Sequence, residues 1–369
     1  MGSDKGLTRR EFVRAGALAA AGLAAGAGAA RGADAPQQPK ILNYNPDMEY
    51  RRAGKTGLMI SAVSLGGHWK RVGTMLPKVN RGPGWMGENL GDPDFRKNRY
   101  DVVTRCIEAG INYVDACCGG EIRAYAKALE GRRDRMYFGF SWYEYEMRFK
   151  PWRESLDKMM EGLDSGLRQA GLEYADLWRI SMEMDTAARQ TEKEVEITVE
   201  ALARARKQGK VRFTGVSSHD RVWLKGAVEK YPEVMQIILT PYTAATRELP
   251  KDSLFDAVRK CDVGVFGIKP FASNSLFKGD SSLASPTAEE DDRLARMAIR
   301  YILANPAVTA PIPGMINPHQ VDNVAQAVKE WKAQPALSAS ESTQLQVAMD
   351  DAWTRLPADY QWLKNWEYV

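Results

Sequence analysis

The segment Gly209-Lys210-Val211-Arg212-Phe213-Thr214-Gly215-Val216-Ser217-Ser218 shows the pattern that decides the fold. Its first glycine is a helix-ending signal, and a short, mainly apolar run follows directly, as is typical of a parallel strand buried on both faces. The same kind of run recurs along the chain. The predicted strands are residues 61–66, 112–116, 136–141, 175–181, 211–217, 234–240, 263–269 and 309–313.

Amphipathic stretches separate these runs. Residues 152–170 place Leu and Met side chains on one helical stripe, and residues 192–208 and 291–304 are similar. Eight strands alternating with helices predict an α/β fold, a (β/α)8 TIM barrel with an N-terminal β-hairpin that starts at Tyr50. A doubly wound sheet is the rival architecture. It would need a G-x-G-x-x-G turn after the first strand, and Gly66-Gly67-His68-Trp69 does not supply one.

Composition and charge exclude several classes of protein. The 369 residues contain 51 Lys and Arg against 47 Asp and Glu, for a net charge of +4. Because the two signs are interleaved, we expect no nucleic-acid partner. The chain has 4 Cys, 3 His and no pair of CxxC motifs, so we expect neither a disulfide scaffold nor a metal site.

The first 35 residues differ from the rest. Arg9-Arg10 precedes Glu11-Phe12 and a run of Ala, Gly and Leu that ends near Ala30. This pattern predicts a twin-arginine signal peptide over residues 1–35, cleaved after small residues near Ala35 or Ala29. We therefore expect export to the periplasm through the twin-arginine machinery. The apolar run is too short for a membrane span, so none is expected after cleavage.

The rest of the chain divides into three parts. Residues 36–48 are a polar, Pro-rich linker, residues 49–335 form the barrel, and residues 336–369 form a C-terminal helical extension predicted to pack on it. The twin-arginine route carries proteins that are already folded, so it raises the expectation of a bound cofactor.

Several stretches resemble the aldo/keto reductase family. They are residues 50–58, 64–67, 108–115, 209–218, 268–270 and 311–314, in the family's order, and the similarity extends over roughly residues 49–330. The resemblance implies hydride transfer between a nicotinamide cofactor, NADP(H), and a carbonyl group. In the family a Tyr is the general acid, Lys and Asp tune it, and His orients the carbonyl.

Only one of these four catalytic positions keeps its group. Asp115 fills the Asp position, whereas the Tyr position falls on Gly120, the Lys position on Ser141 and the His position on Ser181. A reductase that relies on the family mechanism is therefore expected to be slow. His219, at the end of the fifth strand, is the second predicted catalytic residue, because an imidazole can exchange a proton near neutral pH.

Polar and aromatic residues follow the predicted strands at the end where barrels keep their sites. The predicted pocket residues are His68, Trp69, Trp142, Tyr143 and Glu183. The adjacent pair Cys117-Cys118 has two interpretations. The two residues either fill space under a loop or form a vicinal disulfide or thiol site, with Cys106 and Cys261 as other partners.

The resemblance also implies where NADP(H) would lie. Two serines would be near the nicotinamide amide, the chain after Lys269 would run along the pyrophosphate, and Gly314 with the next helix N-terminus would meet the adenosine phosphate. The predicted cofactor-binding residues are Ser217, Ser218, Lys269, Gly314, Gln320 and Asn323.

Three functions are compatible with these residues. The first is an exported oxidoreductase of the aldo/keto reductase type with a remodelled active site and a small-molecule substrate. The second is a non-catalytic protein that binds a small ligand, such as a carbohydrate, in an aromatic pocket of Trp69, Trp142 and Tyr143. The third is other barrel chemistry, elimination or isomerisation, with Glu183 or His219 as the base.

Overall fold

The computed structural model describes residues 41–69, 71–83, 86–184 and 189–369. The predicted signal peptide, residues 1–35, lies outside the described residues, as do residues 36–40 of the predicted linker.

A hairpin precedes the main sheet. Strand β1 (Tyr50–Arg52) pairs antiparallel with β2 (Met59–Ser61). Seven parallel strands follow, each paired with the next in chain order. They are β3 (Tyr113–Ala116), β4 (Tyr137–Phe140), β5 (Ala175–Met182), β6 (Val211–Ser218), β7 (Ile237–Pro241), β8 (Gly264–Ile268) and β9 (Ala310–Pro311).

A short segment around Leu65 and Gly66 closes this sheet. Leu65 bridges Val114 of β3, and Gly66 bridges Gly314, just after β9. The amide of Leu65 donates to the carbonyl of Tyr113 at 3.0 Å, and the amide of Gly66 donates to that of Pro313 at 2.8 Å. The segment thus occupies the place of the first barrel strand, and the predicted TIM-barrel fold is confirmed.

Helices cover the outside of the sheet. They are α1 (Val72–Met75), α2 (Pro93–Glu108), α3 (Gly119–Ala128), α4 (Leu156–Ala170), α5 (Glu192–Lys207), α6 (Arg221–Lys230), α7 (Leu254–Cys261), α8 (Ala288–Leu303), α9 (Pro318–Ala333) and α10 (Ala339–Thr354). Their starts follow from the sequence, because Ser155 and Thr191 accept backbone N–H bonds as N-caps of α4 and α5. Gly209 takes φ +72°, which only glycine adopts easily, and so separates α5 from β6.

The barrel interior is filled at the end away from the carboxyl ends of the strands. The rings of Tyr113 and Phe266 stack there at 4.4 Å, packed among Leu177, Leu239 and Ile60. Side chains thus fill this end, and the cavity lies toward the carboxyl ends of the strands.

The C-terminal residues lie against the barrel. Leu345 and Met349 of α10 pack on Leu294 and Met297 of α8. A 3-10 helix (Ala358–Trp366) then returns toward the carboxyl ends of the strands. In the described part of the chain, none of the helices is both long and apolar enough to cross a membrane.

Candidate active site at the carboxyl ends of the strands

A cavity of about 920 Å³ opens at the carboxyl ends of the strands. Asp115 of β3, Arg179 of β5 and Ser217 of β6 lie at one end of it. The first turns of α9, with Gln320 and Asn323, lie at the other end. The two ends belong to one continuous space, which is long enough to hold an extended ligand.

A buried ion pair forms the floor of the first end. The guanidinium of Arg179 donates from Nη2 to Oδ2 of Asp115 at 2.5 Å and from Nε to Oδ1 at 3.1 Å. The hydroxyl of Tyr113 also donates to Asp115. Burial alone would lower the pKa of Arg179, but Asp115 raises it above its usual value. The cavity floor therefore holds a permanent cation beside the carboxylate of Asp115.

Ser141 and Ser181, at which the resemblance places the family's Lys and His, lie side by side. The Ser141 hydroxyl donates to Glu146 Oε2 at 2.8 Å and lies 3.4 Å from the hydroxyl of Ser181. Glu146 also accepts from Trp178 Nε1 at 2.8 Å and from the amide of Trp142 at 3.0 Å. Burial raises the pKa of Glu146 to about 7. Sequence patterns did not predict this carboxyl group, because it lies in an irregular segment beyond β4.

This buried carboxyl predicts a pH-dependent stability. The pKa of Glu146 rises from 4.5 to about 7 on folding, so the folded protein binds the proton more tightly than the unfolded chain. The free energy of unfolding should therefore fall as the pH rises from 4.5 to 7, by up to about 3 kcal/mol. In Glu146→Gln this contribution should vanish. Urea melts of both proteins at several pH values measure the difference, and identical pH profiles would contradict the assignment.

Gly120, at which the resemblance places the family's Tyr, has no room for a side chain. Gly120 lies in the first turn of α3, and a Cβ there would be 2.3 Å from the carbonyl oxygen of Met86. Such a distance is shorter than any real contact, so a tyrosine would require the segment around Met86 to move.

His68 and Glu121 form a second charged pair on the cavity wall. His68 Nδ1 lies 2.9 Å from Glu121 Oε1, and the carboxylate also accepts from the amides of His68 at 2.5 Å and Cys117 at 2.8 Å. Burial alone would raise the pKa of Glu121, but His68 and the two amides lower it to about 2. Burial alone would lower the pKa of His68, but Cys117 and Glu121 raise it above its usual value.

The C-terminal 3-10 helix supplies part of the cavity wall. The ring of Trp362 stacks on His219 with centroids 3.7 Å apart and an interplanar angle of 17°. Lys269 Nζ lies 5.7 Å from the rings of Tyr360 and Trp362. His219 and Lys269 both line the cavity. Sequence patterns did not predict their aromatic partners, because these come from the far end of the chain.

The other predicted cofactor residues divide into two groups. Gln320, Asn323 and Gly314 line the cavity, with Gln320 accepting from the amide of Ile316 at 2.7 Å. Ser218 does not line it. Its hydroxyl accepts from the amide of Asp220 at 3.0 Å and so stabilises the turn into α6.

Three predicted pocket residues do not line the cavity. They are Trp69, Trp142 and Glu183, whereas His68 and Tyr143 do line it. The indole of Trp69 is buried edge-on against Phe95 and Tyr125. Interpreting Trp69 as a pocket wall was wrong, because the segment after the first barrel strand turns back onto α2 and α3.

Trp142 is also a core residue. Its ring stacks on Tyr145 at 5.3 Å and fills the space left by the missing side chains of Gly119 and Gly166. Glu183 is buried and exchanges hydrogen bonds with Gln190, whose amide it accepts at 2.8 Å. These hydrogen bonds stabilise the loop that follows β5, so the Glu183 carboxylate does not face a substrate.

All four cysteines lie in the described residues, and each carries a free thiol. The vicinal disulfide is thus absent. Cys118 is buried at the start of α3, whereas Cys117 lines the cavity beside His68.

Fold and cavity together define a (β/α)8 barrel with a candidate site at the carboxyl ends of its strands, and sequence comparison identifies the family. The profile of the Aldo/keto reductase family matches residues 87–336, more than half of the chain. The chain belongs to this family.

Two curated relatives are similar at low identity. The L-glyceraldehyde 3-phosphate reductase of Escherichia coli K12 is 26% identical over 243 residues, which span 62% of this chain and 63% of the reductase. The L-galactose dehydrogenase of Arabidopsis thaliana is 22% identical over 309 residues, which span 78% of this chain and 90% of the dehydrogenase.

Solved structures show the same fold. The holo form of an aldo-keto reductase from Bacillus halodurans has 22% identity and a TM-score of 0.57, covering 82% of this chain and 96% of its own. An aldo/keto reductase from Klebsiella pneumoniae in complex with NADP and acetate has 20% identity and a TM-score of 0.58, and the match covers 81% of this chain and 94% of the reductase.

Proposed function

We propose that the protein is an oxidoreductase of carbonyl and alcohol groups that uses NADP(H), acts on a small molecule and has a remodelled active site. The observation that carries this proposal is the continuity of the cavity at the carboxyl ends of the strands. It joins the Asp115–Arg179 pair at the strand ends to Gly314 and the first turn of α9. Its volume of about 920 Å³ is at the upper end of the usual range for a ligand site.

The far end of the cavity suits the phosphate groups of a dinucleotide. A helix N-terminus attracts phosphate through its free N–H groups and its dipole. A Cβ on Gly314 would lie 2.3 Å from the carbonyl oxygen of Gly67, so only glycine allows the chain to pass close to the wall here. One of the solved relatives holds NADP, which supports the same cofactor for this chain.

The proposed remodelling of the active site concerns the end of the cavity that holds Asp115 and Arg179. Arg179 provides the cation beside Asp115 that a lysine provides in the family. Its guanidinium donates hydrogen bonds but does not release a proton, because its pKa is high. Hydride transfer to the carbonyl carbon would then be assisted by stabilising the negative charge that develops on the substrate oxygen, and the resulting alkoxide would take its proton afterwards from solvent water in the open cavity.

No observation favours the ligand-binding alternative. Its aromatic pocket required Trp69 and Trp142, and both indoles are buried in the core. Of the two bases proposed for elimination or isomerisation, Glu183 does not line the cavity, whereas His219 lines it and stacks on Trp362. We therefore retain the oxidoreductase proposal.

NADPH should stabilise the folded protein. A tenfold excess over Kd should raise the free energy of unfolding by about 1.4 kcal/mol, because the cofactor binds only the folded chain. Thermal melts with NADPH, NADH and no nucleotide measure this shift and distinguish the two cofactors.

A pair of matched variants places the nucleotide. Gln320→Glu puts a negative charge in the cavity near the phosphates and should weaken NADPH binding, whereas Gln326→Glu, exposed on the same helix, should not. Unchanged melting temperatures at millimolar NADPH and NADH would remove the oxidoreductase proposal.

We also propose that the protein is exported by the twin-arginine route, on the strength of Arg9-Arg10 and the Ala-rich run that follows. Replacing both arginines by lysine should leave the uncut precursor in the cytoplasm, as fractionation and immunoblotting would show. Normal processing of that variant would show that another route is used.

A further inference from the structure

We propose that His68, Cys117 and Glu121 form a binding site for one divalent transition-metal ion of the zinc type on the wall of the cavity. This inference goes beyond the proposed function, because the proposed hydride transfer needs no metal. Composition and motif spacing predicted no metal site, because His68 lies 49 residues before Cys117 and the chain has no pair of CxxC motifs.

The ligand atoms are already grouped. Cys117 Sγ lies 3.8 Å from Nδ1 and 3.9 Å from Nε2 of His68, and Nδ1 lies 2.9 Å from Glu121 Oε1. One ligand atom from each residue falls within 4.8 Å of the others. Ligands around a tetrahedral zinc ion, at about 2.0–2.3 Å from the metal, are about 3.3–3.7 Å apart. Side-chain shifts of about 1 Å would therefore complete the site.

The donor set selects the metal. A thiolate and an imidazole favour zinc and similar transition metals, whereas calcium and magnesium prefer oxygen ligands alone. Three protein ligands beside an open cavity are also the arrangement of zinc sites that keep a fourth position for water or a substrate oxygen. His68 and Cys117 both line the cavity, so that position would face it.

The surrounding chain holds the ligands in place. Glu121 is fully buried, and the backbone amides of His68 and Cys117 fix its carboxylate. A Cβ on Gly67 would lie 2.1 Å from the carboxyl carbon, so glycine there leaves the space that Glu121 occupies. His68 itself has φ +64°, a conformation uncommon for residues other than glycine. Supporting contacts of this kind orient metal ligands.

Cobalt binding tests the site directly and without nucleotide, so its outcome is independent of the proposed function. Chelator-treated, reduced protein is titrated with Co²⁺ and then with Zn²⁺. We expect one ion per chain and a near-ultraviolet absorption band from thiolate-to-cobalt charge transfer. Cys117→Ser should remove the band and weaken zinc binding at least about 100-fold. His68→Ala should weaken zinc binding to a similar extent.

Matched controls separate this site from binding by another thiol and from loss of the fold. Cys261→Ser changes a thiol of similar partial exposure at the end of α7 and should leave binding unchanged. Thermal melts confirm that each variant is folded. If Cys117→Ser does not fold, His68→Ala provides the test instead. The proposal is overturned if wild-type protein binds no ion, or if the band survives in Cys117→Ser. It is also overturned if Cys118→Ser abolishes binding while His68→Ala does not, because the ligand would then be the adjacent dithiol.

Discussion

Small aldehydes should be reduced by NADPH about 10²–10⁴-fold more slowly than by a family member that retains the tyrosine, because that factor is the usual contribution of a general acid. The resemblance places the family's Tyr at Gly120, where the carbonyl of Met86 leaves no space for a side chain. It places the family's Lys and His at Ser141 and Ser181, whose hydroxyls lie 3.4 Å apart and carry no charge. NADPH oxidation with a panel of aldehydes, followed by absorbance in both enzymes under one condition, measures the ratio.

Two variants test which residues support the remaining rate. Asp115→Asn weakens the two hydrogen bonds that hold the Arg179 guanidinium in position, and misplacing that cation should lower kcat by about tenfold or more. Asp262→Asn, in the exposed pair with Arg52, is the matched control and should have no effect. His219→Ala should alter KM more than kcat, since the ring faces the cavity from the stack with Trp362. Fast turnover that neither Asp115→Asn nor His219→Ala changes would show that the active site lies elsewhere.

Removing the buried cation should strongly destabilise the fold. In Arg179→Met the carboxylate of Asp115 would stay buried without its ion-pair partner. Breaking one side of such a pair costs about 3–5 kcal/mol. Side-chain exposures of 4% for Arg179 and 7% for Asp115 justify treating the pair as buried. Urea denaturation at pH 7 measures the loss.

The exposed pair again provides the control. Arg52 and Asp262 have side-chain exposures of 55% and 49%, so Arg52→Met should cost only about 0–1 kcal/mol. Adding Asp115→Asn to Arg179→Met should recover part of the loss, because the unpaired charge is then gone. Equal costs for Arg179→Met and Arg52→Met would contradict the burial of the first pair.

The sequence predicted the barrel well where strands are buried on both faces. Residues 175–181 and 211–217 became β5 (Ala175–Met182) and β6 (Val211–Ser218) with ends displaced by a single residue. The first strand was less well predicted. Ser61 belongs to the hairpin, and only the segment around Leu65 joins the barrel. An apolar run does not show at which residue the chain stops pairing with the hairpin strand β1 and begins to pair with the barrel strand β3.

The candidate site was predicted only in part. Asp115 and Ser217 face the cavity because the end of a parallel strand fixes where such side chains lie. Trp69 was misplaced, because its neighbours Phe95 and Tyr125 come from helices that periodicity does not position in space. The pairing of His68 with Glu121 was missed for the same reason. The one sequence signal for the ion-pair partner of Asp115 was Arg179, a charged residue inside the otherwise mainly apolar strand β5.

Hydride transfer itself is the most direct test of the proposed function. NADPH deuterated at C4 of the nicotinamide, in both positions in turn, is incubated with the protein and a small aldehyde, and the alcohol product is analysed by mass spectrometry. We predict that deuterium from one of the two positions appears at the former carbonyl carbon, slowly but in proportion to the protein, and less in Asp115→Asn. An alcohol product free of deuterium from both labelled forms, or no product although NADPH is bound, would contradict the proposal.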